Sequence, residues 1–487
     1  MKVLKEKFIG GWFIGDFTPS IFRTKDFEVC YKIHEQNEKW PQHYHKVATE
    51  INYLMRGRMT VQGRELVAGD VFSFEPNEVA DPVFTEKCEL IVVKFPSVKG
   101  DKYDINCLAN TLYRTNCVIC NGNLVDMHTL PNFPIYMGVN YDDIVQQMCD
   151  LTYCRCETCN TLQVRKLIPL DVLYKHNHNT DVVGDMWKNH YASFSKFIFD
   201  DEQPVPKTIL EVGDPSCKMA NANRSKKFEE WIIIEPSKLI NGFDRVRHIQ
   251  NVLDNTFTID PVDMVIFSHS FEHMYNPSEI AQKLHDIITE DGCLYVSIPD
   301  MNHFAEHELL PFNCVTFEHT FFINPDIMEY LFQNKFKLEK VEYYKHHSVF
   351  LKFRKQSATK TPINSKTSRI GETNKHYNRL FVKNTQTISD YIAAVNKKLE
   401  TVESYYIYGA HISTQFLLQV GINPSKIVGI LDNAQSKIGK TLYGTNYRVY
   451  SPQILTHGAP VVMCKVGAFT DEIKADLLKI NNRITFL

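Results

Sequence analysis

The stretch TILEVGD at residues 208–214 decides the fold of the central part of the chain. It is an apolar run typical of a buried strand, and it ends in an acidic residue and a glycine. Three similar runs follow: WIIIEP at 231–236, DMVIFSH at 263–269 and CLYVSIP at 293–299. Helical patterns separate them, and such alternation indicates a parallel sheet with crossover helices. Residues 181–355 are therefore predicted to form a nucleotide-type α/β domain.

Polar residues stand where the first two predicted strands end. Glu211, Gly213 and Asp214 close the first strand, and Glu235 and Pro236 close the second. Ligands of open α/β sheets bind beyond the carboxyl ends of the strands. A carboxylate at the end of the second strand suits the two hydroxyls of a ribose. The sequence therefore predicts a nucleotide-type cofactor at this edge of the sheet.

The run at 208–214 resembles the first motif of class I methyltransferases, which bind S-adenosylmethionine (SAM). The resemblance implies that SAM is the cofactor and that the domain is a methyltransferase core. The implied cofactor-binding residues are Glu211, Gly213, Asp214, Glu235, Pro236, Asn251 and Ser268. Pro215 and Cys217 occupy positions where the family has further glycines, so a degenerate SAM pocket is one alternative. An NAD-type domain is another, although the full Gly-x-Gly-x-x-Gly motif is absent.

Two acid–histidine pairs follow later strands of this domain. Glu272-His273 comes after the fourth strand, and Glu318-His319 comes after the fifth. Histidine titrates near neutral pH and is the most frequent general base in enzymes. We therefore predict that His319 is a base, and that Glu318 and His273 orient it or stabilise an enolate oxygen. A packing or capping role for His273 at the next helix is the alternative.

Two Cys-x-x-Cys pairs precede the α/β domain. The four cysteines are Cys117, Cys120, Cys156 and Cys159. Four thiolates suit tetrahedral zinc and leave no coordination position for a catalytic water. Residues 105–180 are therefore predicted to be an otherwise irregular region in which Zn²⁺ replaces a hydrophobic core. Cys154, close to the second pair, is a competing ligand.

Residues 1–100 consist of β-rich runs separated by Gly, Pro and Asn, which indicates an all-β unit. His43 and His45 share one face of a strand, and Glu50 can join them from the next strand. Two imidazoles and a carboxylate on one face suit a borderline divalent metal. The sequence therefore places a candidate metal site within this unit.

Together with Gly57, these residues resemble the first signature of the cupins, which are small double-sheet barrels. The second cupin signature is incomplete, because Asp81 stands near the position of its histidine. The resemblance implies a cupin β-barrel at 1–100 that holds a divalent metal. The implied ligands are His43, His45, Glu50 and Asp81. A metal-free barrel that binds sugar or mediates dimerisation is the alternative.

A second α/β pattern follows the central domain. Residues 356–403 are predicted to be a Ser/Thr/Lys-rich linker and then one long amphipathic helix from residue 376. Residues 404–487 return to strand–helix alternation, with glycine after the first strand at Gly409 and an acid after the second at Asp432. This segment is predicted to be a C-terminal Rossmann-like domain. The whole chain is thus multidomain, with α/β and all-β parts.

The order of the last regions resembles the SAM-dependent sugar C-methyltransferases, which place a zinc-knuckle region before the core and a Rossmann-like domain after it. The resemblance runs from Cys117 to the end, although Thr316 and Phe317 replace the Tyr and first His of a family signature that ends in Glu-His. It implies C-methylation of a nucleotide-linked keto-deoxysugar in glycan, capsule or secondary-metabolite biosynthesis. O-methylation of a sugar hydroxyl and a non-catalytic sugar-binding scaffold are the alternatives.

The charge balance argues against two classes of partner. The 487 residues include 54 Lys and Arg and 57 Asp and Glu, for a net charge of −3. Such a chain has no general attraction for nucleic acid or anionic membrane, and no apolar run approaches the roughly 20 residues that span a bilayer. We expect a cytoplasmic enzyme with a nucleotide-sugar substrate and neither nucleic acid nor membrane as partner. A homodimer formed through the barrel is a further option.

Overall fold

A computed structural model describes most of the chain in two compact units, Met1–Asn110 and Thr111–Leu487. The described residues are 9–38, 40, 42–98, 100–104, 111–141, 146–174, 185–200, 205–301, 303, 314–357, 366–466 and 470–487. Within them, no helix combines the length and the hydropathy needed to cross a bilayer.

The first unit is built from antiparallel strands, as predicted. They are β1 (Trp12–Ile14), β2 (Glu28–His34), β3 (His43–Tyr44), β4 (Thr49–Arg56), β5 (Arg58–Val61), β6 (Arg64–Val67), β7 (Val71–Phe74), β8 (Val83–Phe84), β9 (Cys88–Phe95) and β10 (Tyr103–Asp104). The main sheet has the order β1-β2-β9-β4-β7, a second sheet has the order β6-β5-β8, and β3 pairs with β10. Leu54, Phe84 and Leu90 from the two larger sheets share one core. The apolar faces of these sheets therefore pack against each other.

The region predicted to be irregular between the cysteine pairs contains a three-stranded antiparallel sheet. Its strands are β12 (Leu124–Pro134), β13 (Met148–Cys156) and β14 (Leu162–Val164), and β11 (Leu112–Tyr113) pairs with β15 (Lys166–Leu167) nearby. The sequence prediction was wrong here because β12 carries two register shifts, one between Asp126 and His128 and one between Leu130 and Phe133. A bulge breaks the two-residue alternation by which a strand is recognised.

The central domain contains a seven-stranded sheet, which confirms the predicted parallel strands. The strands are β16 (Thr208–Val212), β17 (Glu230–Ile234), β18 (Val246–Ile249), β19 (Val262–Ser268), β20 (Ile288–Pro299), β21 (Phe336–Tyr344) and β22 (Ser348–Lys355). Their spatial order is β18-β17-β16-β19-β20-β22-β21. The first five strands in this order are parallel, whereas β22 is antiparallel to both of its neighbours.

Helices cover both faces of the central sheet. They are α1 (Leu170–Leu173), α2 (Asp185–Phe199), α3 (Lys218–Ala222), α4 (Pro277–Ile287) and α5 (Pro325–Phe332), and Phe271–His273 forms a short 3-10 helix. Leu210 of β16 packs with Leu284 of α4, whereas its neighbour Ile209 packs with Phe194 of α2. Because successive strand residues enter different cores, both sheet faces are buried, as expected for a parallel sheet.

A long helix and a second parallel sheet complete the chain. These elements are α6 (Lys366–Leu399), β23 (Tyr405–Tyr408), α7 (Ile412–Gln419), β24 (Ile427–Leu431), β25 (Val449–Tyr450), β26 (Val461–Met463), α8 (Thr470–Ile480) and β27 (Thr485–Phe486). The sheet has the order β25-β24-β23-β26-β27. The predicted helix start at residue 376 was wrong, because α6 begins at Lys366 and already buries Ile370 and Asn374.

Candidate functional site

The four paired cysteines converge on one point. The Sγ atoms of Cys117 and Cys159 lie 3.6 Å apart, and those of Cys120 and Cys156 lie 3.4 Å apart. All four sulfurs lie within 4.8 Å of one another. Tetrahedral zinc with Zn–S bonds of about 2.3 Å needs sulfurs about 3.8 Å apart. The cluster therefore has the donor type, number and spacing that fit Zn²⁺.

Backbone and side-chain amides surround these sulfurs. The N–H groups of Ile119 and Cys159 donate to the Sγ atoms of Cys117 and Cys156, both over 3.4 Å, and Gln163 Nε2 lies 3.3 Å from Cys117 Sγ. Such donors stabilise negative charge on thiolates, as metal sites require. The thiol of Cys154 points elsewhere and donates to the carbonyl of Gln163 over 3.3 Å. It does not join the cluster.

The cluster is also the place where the long helix α6 docks. Asn374 Nδ2 donates to the carbonyl of Cys159 over 2.9 Å, and Asn378 Nδ2 donates to the carbonyl of Asn160 over 2.7 Å. In the other direction, Asn160 Nδ2 donates to the carbonyl of Gly371 over 2.9 Å. The second cysteine pair therefore fixes the first half of α6 through direct hydrogen bonds.

The carboxyl edge of the central sheet brings three predicted cofactor residues together. Val212 pairs with Ile234 on one side and Phe267 on the other, so Gly213, Glu235 and Ser268 follow at adjacent strand ends. Gly213 has φ +81°, and a Cβ atom there would lie 3.1 Å from Ser270 Cβ. A side chain at this position is therefore strained. The glycine keeps the backbone of this turn accessible to a ligand.

Two of the predicted cofactor residues have structural contacts instead. Glu211 is fully buried and accepts a hydrogen bond of 2.8 Å from Trp231 Nε1, and burial raises its pKa well above the usual value. Asp214 accepts from the backbone N–H groups of Ser216 and Met219 over 3.2 and 3.1 Å. Glu211 therefore links β16 to β17, and Asp214 stabilises the backbone of the turn that follows Gly213.

Glu235 has the position expected for a ribose ligand. Its side chain is buried, and Oε1 accepts from the N–H and hydroxyl of Ser237 over 2.9 and 2.7 Å. Burial raises the pKa of Glu235. These bonds hold the carboxyl group in one orientation at the end of β17.

The remaining predicted cofactor residues differ in their surroundings. The buried hydroxyl oxygen of Ser268 has no hydrogen-bond partner in the described part of the chain. Asn251 is exposed, and its Oδ1 accepts from the N–H of Val252 over 2.8 Å. The carbonyl of Pro236 accepts from Gln250 Nε2 over 3.1 Å. Asn251 and Pro236 thus lie in the turns that flank Glu235.

The two acid–histidine pairs meet beyond β19, but with exchanged partners. His273 contacts Glu318, with 3.9 Å between Nδ1 and Oε2. Glu272, His273 and His319 form a cluster in which one donor atom of each residue lies within 4.8 Å of the other two. Glu318 therefore contacts His273 of the earlier pair, and His319 lies with Glu272. The hydroxyl of Tyr174 lies 2.8 Å from His273 Nδ1 and fixes that ring.

Glu272 is a site residue that the sequence interpretation missed. It is 1% exposed, and His269 Nδ1 lies 3.5 Å from its Oε1. Burial raises the pKa of Glu272, but the imidazoles of His269, His319 and His273 outweigh burial and lower the pKa to about 2. Burial lowers the pKa of His319 to about 4, so His319 is neutral at pH 7. The available signal was the spacing of His269 and Glu272, three residues apart on one turn.

The barrel unit holds a second cluster, made by His43, His45 and Glu50 within 4.8 Å of one another. His45 Nδ1 bonds the carbonyl of Asp101, which can only accept, so Nδ1 carries the proton. Nε2 of His45 then faces Glu50 Oε2 over 3.0 Å. Two such acceptors share either a proton or a metal ion. Burial raises the pKa of Glu50, but its contacts with the imidazole of His45 and the amide of Asn52 outweigh burial, and the net shift is downward.

Asp81 does not join this second cluster. Its Oδ1 accepts instead from the backbone N–H of Gln62 over 2.6 Å, in the turn between β5 and β6. The donors that lie together are therefore two imidazoles and one carboxylate. Such a set leaves coordination positions open on a metal ion.

A cavity of about 710 Å³ surrounds the barrel cluster. Trp12, Trp40 and Lys32 line it, and so does a buried ion pair between Lys94 Nζ and Glu28 Oε2 at 3.2 Å. Its volume lies in the range of small-molecule sites, and aromatic and charged walls suit a polar ligand with flat apolar faces. A sugar has this chemistry.

No protein-family model and no curated protein matches the chain. Among solved structures, an uncharacterised protein with a double-stranded β-helix domain from Klebsiella pneumoniae is 19% identical, covers 17% of this chain and 71% of its own, and has a TM-score of 0.16. The N-methyltransferase NodS from Bradyrhizobium japonicum is 6% identical, with 36% and 90% covered and a TM-score of 0.29. The plantazolicin methyltransferase BpumL is 10% identical, with 37% and 88% covered and a TM-score of 0.30.

Proposed function

We propose that the chain is a SAM-dependent methyltransferase that modifies a carbon atom of a nucleotide-linked keto-deoxysugar. The observation that carries the proposal is the central sheet, in which the turn at Gly213, the carboxylate of Glu235 and the cluster around His319 follow strands of one domain. A nucleotide-type cofactor and an acid–base group are thereby combined. This combination is what proton removal followed by methyl transfer needs.

The strand order supports a methyltransferase core over a dinucleotide-binding domain. Numbered along the chain, the seven strands are arranged 3-2-1-4-5-7-6, with the seventh antiparallel to its neighbours. Dinucleotide-binding domains have the order 3-2-1-4-5-6. The missing Gly-x-Gly-x-x-Gly motif also argues against a dinucleotide-binding domain.

The cofactor-binding residues fit SAM by their chemistry. When bound, SAM supplies the methyl group. Gly213 leaves room for a close approach to the backbone, Glu235 presents a carboxyl group suited to the ribose hydroxyls, and Ser268 offers an unsatisfied hydroxyl. Asp214 holds the turn after Gly213.

The acid–base residues fit removal of a proton from carbon. A carbon beside a ketone is acidic, and its proton must pass to a base as the carbon becomes nucleophilic. His319 is neutral at pH 7 and can accept that proton, while His273 and Glu318 lie beside it to orient the substrate or stabilise the enolate oxygen. The same base would serve O-methylation, which remains the second candidate reaction.

The other two clusters have separate proposed roles. Zn²⁺ at Cys117, Cys120, Cys156 and Cys159 would be structural, because four thiolates fill its coordination sphere. A divalent metal at His43, His45 and Glu50 would keep open positions facing the barrel cavity. The barrel would then bind or isomerise the same class of sugar. A cytoplasmic enzyme that acts on nucleotide sugars needs neither nucleic acid nor membrane.

The test of the reaction is incubation with SAM and a panel of nucleotide keto-sugars, followed by mass spectrometry. We expect one sugar to gain the mass of a methyl group. The NMR position of that group then separates C-methylation from O-methylation. If calorimetry detects no SAM binding at all, the proposal is wrong and the chain is a scaffold.

We expect the variant Glu235→Ala to bind SAM more weakly by about 1.5–3 kcal/mol, the usual contribution of a hydrogen bond to a charged group. Calorimetric titration with SAM measures this change. Glu229→Ala is the matched control, because Glu229 is exposed on the approach to the same strand and pairs with Lys207. Unchanged affinity in Glu235→Ala would show that the ribose binds elsewhere.

We expect His43→Ala to remove metal from the barrel and to leave methyl transfer intact. His43 belongs to the unit Met1–Asn110, whereas the SAM and acid–base residues belong to Thr111–Leu487. Units with their own cores usually function as separate modules. The measurement is metal content together with methyl transfer to one accepted sugar. Loss of methyl transfer in this variant would place the chemistry in the barrel.

A further inference from the structure

We propose that Glu272, His273 and His319 bind a divalent cation at the carboxyl edge of the central sheet. One donor atom of each residue lies within 4.8 Å of the other two. Three donors at about 2.1 Å from a common cation can be at most about 3.6 Å from one another. A shift of under about 1 Å in each side chain would therefore complete the coordination.

The state of Glu272 supports a cation. Its side chain is 1% exposed, and neither carboxylate oxygen makes a hydrogen bond in the described part of the chain. Among the described residues, its one close contact is with His269 Nδ1, 3.5 Å from Oε1, and buried carboxylates are normally paired more tightly or bound to metal. The buried guanidinium of Arg114 donates to the carbonyls of Thr320 and Tyr275, not to Glu272. A cation between the three residues would satisfy both oxygens.

Neighbouring residues already form an outer shell around these donors. The hydroxyl of Tyr174 lies 2.8 Å from His273 Nδ1, so coordination through Nε2 would keep this contact. His269 Nδ1, at 3.5 Å from Glu272 Oε1, would orient the carboxylate. Groups of this kind fix ligand geometry at metal sites and tune affinity.

The donor set indicates the class of cation and its use. Two imidazoles and one carboxylate suit first-row divalent metals such as Mn²⁺, Fe²⁺, Co²⁺ or Zn²⁺, and three protein ligands leave positions open. This step rests on the proposed function: an open position would hold the keto oxygen and stabilise the enolate. The lone pair of His319 would then be coordinated, and Glu318, 3.9 Å from His273, would take the proton.

The test is titration of the full-length chain with Mn²⁺, followed by electron paramagnetic resonance of the free ion. The background variant His43→Ala removes the barrel cluster, and thiolate-rich zinc sites bind hard Mn²⁺ poorly. We expect one Mn²⁺ per chain in this background. Adding Glu272→Gln should weaken binding at least about 100-fold, more than the loss of an outer-shell group. Glu290→Gln, at an exposed glutamate of the same domain, is the matched control and should bind normally.

Two results would overturn the inference: no Mn²⁺ bound in the His43→Ala background, or equal binding after Glu272→Gln. If Glu272→Gln fails to fold, His319→Gln, at a partly exposed ligand, decides instead and should also lose Mn²⁺. Calorimetry with SAM is run on the same samples. Binding of Mn²⁺ without binding of SAM would refute the proposed function but would support the cation site. Binding of SAM without binding of Mn²⁺ would refute only the cation site.

Discussion

Replacing His319 by alanine is expected to lower methyl transfer by about 10²- to 10⁴-fold, the usual contribution of a general base. SAM should still bind, because Gly213, Glu235 and Ser268 belong to other strand ends. The loss is expected whether His319 takes the proton directly or holds a cation that acidifies the substrate. Single-turnover methyl transfer and SAM calorimetry on one accepted sugar measure both effects.

The control for His319→Ala is His457→Ala, which removes an exposed imidazole of the C-terminal sheet region. It should be as active as the unmodified chain. If the variant His319→Ala were active and His43→Ala were inactive, the assignment of the active centre to the central domain would be wrong. In that case the barrel would carry the chemistry.

The pH dependence separates the two roles of His319. Burial lowers the pKa of the uncoordinated imidazole to about 4, so a free base stays unprotonated above that pH. Methyl transfer by a free His319 should therefore be flat near neutral pH and fall as the pH drops through about 4. A coordinated His319 cannot titrate in this way, and added Mn²⁺ should then change the acid limb of the profile.

The strands that form the cofactor edge were predictable because burial on both faces leaves continuous apolar runs. TILEV and EWIII, at β16 and β17, are recognisable without any long-range information. The polar residues directly after them are then placed at one edge by the parallel arrangement alone. Gly213 and Glu235 are the clearest examples.

Contacts between distant segments were less predictable. Glu318 and His319 are neighbours in sequence, yet Glu318 contacts His273 and His319 lies with Glu272, a residue of the earlier pair. This exchange depends on how the segment after β20 returns to the end of β19, which no local pattern specifies. Asp81 shows the same limit, since its bond to the N–H of Gln62 depends on how a hairpin folds back.

The start of α6 was missed for a related reason. Residues 366–375 are rich in Ser, Thr and Lys, which resembles a linker when no partner surface is known. In the structure Asn374 is 3% exposed, because its amide bonds the second cysteine pair. A polar residue that is buried because it donates a hydrogen bond to a backbone carbonyl does not add to the apolar periodicity by which a buried helix is recognised in a sequence.

Replacing Cys156 by serine is expected to abolish zinc binding and to destabilise the region around it. Structural Zn²⁺ contributes about 10–16 kcal/mol of apparent binding free energy in small zinc domains, so loss of one thiolate removes a large share of local stability. Cys154→Ser is the matched control, because Cys154 is equally buried but lies outside the cluster. Metal analysis should find one zinc fewer per chain in Cys156→Ser than in the control.

The effect of Cys156→Ser should extend to α6, because Asn374 and Asn378 bond backbone carbonyls directly after the second cysteine pair. Once the metal is lost, those carbonyls are no longer held in place and the first half of the helix loses its anchor. Hydrogen exchange should therefore speed up near Gly371, whose carbonyl accepts from Asn160 Nδ2. A zinc-free unmodified chain with slow exchange throughout α6 would show that packing alone holds the helix and that the thiols need no metal.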